Sequence, residues 1–71
     1  MTAEKKSGCK WRVENLLVAG RRISGETFAE TPDAAVRNVA ARYAREIHAD
    51  ISASVAGALR DPLRKVSVSH Q

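Results

Sequence analysis

The chain has 71 residues, 44% of them apolar and 28% charged, which is ordinary globular usage for a chain long enough for one core. A domain of this size hides about 60% of its unfolded surface and holds roughly 3–5 kcal/mol of net stability. The apolar side chains that a water-excluding reaction pocket would require are therefore committed to folding, and a net charge of +4 tilts the surface towards anionic partners.

Residues 1–8 are polar and end in Gly8, so they read as a flexible tail ahead of a single domain over 9–69. From Cys9 the pattern alternates. Cys9, Trp11 and Val13 fall on one face and Lys10, Arg12 and Glu14 on the other, the signature of a half-buried antiparallel strand. Cys9 and Trp11 are expected to face the core. Leu16, Leu17 and Val18 break the alternation, which calls for a bulge near Asn15 or for cover on both faces. Ala19-Gly20-Arg21-Arg22 reads as a turn, with Gly20 free to take positive φ. Ile23 to Ala29 resumes alternation as a second strand, weakened by Gly25, which packs little.

Thr31-Pro32-Asp33 is the clearest local signal. Thr31 can accept from a free backbone N–H, Pro32 loses no hydrogen bond at the first helical position, and Asp33 complements the helix dipole. The helix is expected to reach His48, with Val36, Val39, Ala40, Tyr43 and Ile47 as its apolar stripe. Arg42 and Glu46 are spaced for an i,i+4 pair. Residues 51–60 fit two patterns. Ile51-Ser52-Ala53-Ser54-Val55 alternates like a strand, while Ile51, Val55 and Leu59 also make a helical stripe. One helix from Pro32 to Arg60 would be about 43 Å long, too long for this domain without a break. A strand over 51–56 with a short helix close behind is expected. Asp61-Pro62 is a stop, and Leu63 to Ser69 is a last strand. The expected fold is thus α+β: ββα followed by one or two strands, with one main helix packed on one face of a small antiparallel sheet.

Little in the chain points to catalysis, so no catalytic residue is assigned and no enzyme is expected. His48 sits near a helix end and His70 beside the C-terminus, and two histidines without a partnered carboxylate or cysteine make no closed metal site. Cys9 is the sole cysteine, which excludes an internal disulfide and favours a cytoplasmic, reducing setting. Asp33, Asp50 and Asp61 are accounted for by capping and turns. The four glycines are scattered and cradle no phosphate. No cofactor or metal is expected. No apolar run approaches a membrane span, and the polar start lacks the apolar stretch of a signal peptide.

The bases carry more information. Arginine outnumbers lysine, and its planar fork suits phosphate and carboxylate. Lys10 and Arg12 fall on the polar face of the first strand, Arg21 and Arg22 at the hairpin tip, Arg37, Arg42 and Arg45 on the exposed side of the helix, and Arg64 and Lys65 near the last turn, with Arg60 close by. They are either solubilising charges or a binding surface, and the Arg21-Arg22 tip is the best single candidate.

Two resemblances arise at the hairpin-to-helix junction. Ser24-Gly25-Glu26-Thr27-Phe28-Ala29, followed by a helix containing Ala34-Ala35 and Ala40-Ala41, resembles the end of a double-stranded-RNA-binding domain. Such domains also have a helix before the strands and a lysine-rich start to the last helix, which this chain lacks. The junction Ala29-Glu30-Thr31 resembles that of small phage and mobile-element proteins that modulate host machinery, including anti-CRISPR proteins and phage inhibitors of RNA polymerase. That resemblance implies action by occlusion on a protein or ribonucleoprotein complex that handles nucleic acid. Direct DNA or RNA binding through the arginines, and a small homodimeric accessory subunit, are the alternatives.

Overall fold

A computed structural model of the chain describes residues 8–69. Three strands and two helices follow in the order β1 (Cys9–Val18), β2 (Arg21–Ala29), α1 (Pro32–Glu46), α2 (Ile51–Arg60) and β3 (Lys65–Val68). The strands form one antiparallel sheet in the order β2-β1-β3. Because β2 and β3 flank β1 and both oppose it, they run parallel to each other. The chain between them must therefore cross the sheet, and α1 and α2 make that crossing over one face.

The α+β expectation holds. The second half of the chain differs from it, since residues 51–60 are a helix and not a strand. Asp50 decides the matter: its Oδ1 accepts from the Ala53 backbone N–H at 3.1 Å, capping α2. Period-two alternation over five residues yields to that cap and to the i,i+4 spacing of Ile51, Val55 and Leu59. The break demanded by length falls at 47–50. α1 ends at Glu46, short of His48, in a Schellman turn. The Ala49 N–H donates to the Ala44 carbonyl at 2.8 Å and the His48 N–H to the Arg45 carbonyl at 3.3 Å. His48 takes φ +60°, the left-handed position that glycine usually fills.

At its start α1 follows the sequence closely. Thr31 Oγ1 accepts from the Ala34 N–H at 3.0 Å, with Pro32 in the first turn and Asp33 behind it. The core joins Val13, Leu16 and Val18 of β1 to Ala35, Val36, Val39 and Ala40 of α1 and Ala58 of α2. Both Val13 and Leu16 point inward because a bulge intervenes. Val13 pairs with Gly25 and Leu16 with Ile23, so Glu14 and Asn15 together face Ser24. Asn15 absorbs the extra residue at φ +57°. The hairpin tip is Ala19-Gly20, both at positive φ (+50° and +80°), as a two-residue turn matched to strand twist requires.

Three packing expectations are corrected. Cys9 is exposed, because it opens β1 at the end of the sheet where Trp11 closes the core in its place. Trp11 does pack there, half-buried, with its indole N–H donating to the Ala29 carbonyl at 2.8 Å. Gly25 is not a weak point but a contact: a Cβ there would stand 3.3 Å from Val39 Cγ1, so its bareness lets α1 approach β2. Gly8 belongs to the sheet end, since at φ +108° a Cβ would come within 2.6 Å of the Ala29 carbonyl oxygen. The rest of the expected tail, residues 1–7, and His70 lie outside the described residues.

Candidate binding surface

The predicted basic residues do not form one patch. Lys10 and Arg12 lie on the outer, uncovered face of the sheet, where carboxylates meet them. Lys10 Nζ stands 3.3 Å from Glu26, and Arg12 stands 3.2 Å from Glu26 and 3.5 Å from Glu14. Hydrogen bonds from Arg12 and then Lys10 hold the Glu26 carboxyl below its ordinary pKa. This face alternates in sign and offers no continuous track for phosphates. Phe28, 67% exposed, stands beside Lys10 as the one aromatic on it.

Arg21 and Arg22 are not the hairpin tip. They open β2, paired with Val18 and Leu17. Arg22 reaches across β1 to Asp61 at 2.6 Å and to the Asn15 carbonyl at 3.1 Å, so it is a tie within the fold. Arg64 is engaged likewise. It donates to the Leu59 and Asp61 carbonyls at the C-terminal end of α2, each at 2.9 Å, and stands 3.5 Å from Asp33. Arg42 donates to the Glu26 carbonyl at 2.9 Å rather than pairing with Glu46. Asn38 does the same for the Phe28 carbonyl at 3.3 Å. Together they occupy carbonyls of edge strand β2 that would otherwise invite another strand.

Among the described residues Arg21, Arg37, Arg45, Arg60 and Lys65 have no acidic partner. Three of these border a groove between the helices, with a volume of about 570 Å³. Arg37, Asn38 and Ala41 line it from α1, and Ile51, Ser52, Val55, Ala56 and Leu59 from α2. Arg45 lies one turn beyond Ala41 on α1, and Arg60 one turn beyond Ala56 on α2. Within α2 only Ala58 is fully buried, and Ile51 stays 38% exposed although it begins the helix's apolar stripe. The helix thus presents more apolar surface than its own core consumes.

No arrangement among the described residues brings three or more His, Cys, Asp or Glu together for a metal. No described helix is long and apolar enough to cross a membrane. Reading 51–56 as a strand hid the groove, since only a helix lines up Ile51, Val55 and Leu59. The cap signal Asp50-Ile51-Ser52-Ala53 was the clue that would have exposed it. No protein-family model, curated protein or solved structure matches the chain.

Proposed function

We propose that this chain is a non-catalytic binding protein that docks through its helical layer on a protein component of a nucleic-acid-handling complex and blocks a site or a movement there. The observation that carries the reading is the α1–α2 groove, where the exposed Ile51 and the partly buried Val55 and Leu59 sit among arginines that no acid of the described residues engages. A central apolar strip with a charged rim is the anatomy of a protein-docking surface. The roles of the acids support the non-catalytic part: Asp50 caps α2, Asp61 anchors a strand edge and Glu26 is clasped by two cations. The net charge of +4 and the Ala29-Glu30-Thr31 junction favour an assembly that carries nucleic acid.

The test is affinity capture from the source cell with the intact chain and with Ala56→Arg, which plants a long cation in the groove from an exposed position. The reading expects a protein partner retained by the first and lost by the second. Capture that is unchanged by Ala56→Arg removes the groove from the account. Nuclease-sensitive capture, with direct DNA or RNA binding whose affinity falls steeply with salt, would replace docking by nucleic-acid binding.

A further inference from the structure

We infer that the groove receives an acidic amphipathic helix of the partner; the inference rests on the docking reading above and names the chemistry of the docked segment. The floor is an aliphatic line, Ile51, Val55 and Leu59, spaced i, i+4 and i+8 on α2. Those three positions span about 12 Å along the axis, a little over two turns. A helix laid alongside meets such a line with anchors at i, i+3 or i+4, and i+7, the common helix-in-groove mode. Side chains of both helices line the trough.

The rim fixes the charge of the occupant. Arg37 lines the groove, and Arg60 and Arg45 follow one turn beyond its lining residues, all three without acidic partners among the described residues. Of the nearby acids, Asp33, one turn before Arg37, stands 3.5 Å from Arg64, Asp50 at the start of α2 is committed to its cap, and Glu46 lines a different hollow with Ile23, Ser24 and Arg42. The groove is therefore cationic around an apolar strip, and carboxylates flanking apolar anchors complement it. A second copy would bring arginines against arginines. Residues 1–7 of this chain carry Lys5 and Lys6 with little apolar content, so they complement it no better. A nucleic acid would meet an aliphatic floor that offers no aromatic ring for stacking.

Display selection tests this directly. A library of helix-forming peptides with randomised apolar and charged positions is selected on the intact chain and counter-selected on Ala56→Glu, which sets a like charge against the expected carboxylates. The expected winners carry Leu, Ile, Val or Met at helical anchor spacing with Asp and Glu beside them. Their affinity should fall about tenfold with Arg37→Glu and again with Arg60→Glu, and fall with rising salt. Circular dichroism of each variant separates lost binding from lost folding. Winners that bind the groove but are neutral or basic overturn this inference while leaving groove docking intact. Winners indifferent to Ala56→Glu, or none at all, overturn it too. So does a dimer of the chain abolished by Ala56→Arg, or groove resonances shifted by a short DNA or RNA.

Discussion

Arg22 Nη1 and Asp61 Oδ2 meet at 2.6 Å, joining the second strand to the turn after α2 across β1. The Asp61 side chain is only 2% exposed. It also accepts from the Leu17 N–H at 3.0 Å and the Leu63 N–H at 3.1 Å. Leu17 lies beyond the reach of β3, which pairs with β1 only between Trp11 and Glu14. One carboxylate therefore satisfies a strand edge that the short third strand leaves open.

Burial alone would raise the pKa of Asp61. Hydrogen bonds from Leu63 and Leu17, with the charge of Arg22, outweigh it and hold the carboxyl below its ordinary value. A carboxyl depressed in the folded state contributes stability above its unfolded pKa of about 3.9, and loses it as pH falls through the folded value. Asp61→Asn should therefore lower the melting temperature at pH 7 and flatten the loss of stability below pH ~4. Melting curves from pH 7 to pH 2 check both. An acid limb unchanged by the substitution would assign it to other carboxyls, Glu26 first.

The bulge at Asn15 makes adjacent leucines unequal. Leu16 is fully buried and Leu17 faces out. Leu16→Ala should cost about 2–5 kcal/mol, comparable to the whole stability of so small a fold, whereas Leu17→Ala should stay within about 0.5 kcal/mol. Denaturant titration of the pair reads the bulge directly, because without it the two costs would be exchanged.

Two glycines predict opposite signs. A Cβ at Gly57 in α2 meets nothing within 4 Å, so Gly57→Ala should stabilise by about 0.8–1 kcal/mol through helix propensity. At Gly25 added bulk strikes Val39, and Gly25→Val should cost about 1–3 kcal/mol by prising α1 from β2. Stability measured for both variants checks the helix in one case and the close approach in the other.

The first half of the fold was legible because each element announced itself locally: alternation from Cys9, a turn glycine at 20, and Thr31-Pro32-Asp33 at the helix start. The second half was not. His48 occupies a left-handed position without being glycine, so nothing in its type signalled the end of α1. Ser52 and Ser54, interleaved with Ile51, Ala53 and Val55, imitate a strand. The basic residues were legible as candidates for a charged surface, but which of them the fold ties down is a long-range property. Asp61 lies 39 residues from Arg22, and no local pattern connects them. The same holds for the exposure of Cys9, which depends on where the helices stop covering the sheet.

Docking through the α1–α2 groove stands or falls on partner capture by two surface variants of equal folded stability. One is Ala56→Arg in the groove. The other is Lys65→Glu on the outer sheet face, a cation with no acidic partner among the described residues. The first should abolish capture and the second leave it intact. Capture abolished by Lys65→Glu and unaffected by Ala56→Arg would contradict groove docking and move the binding surface to the sheet.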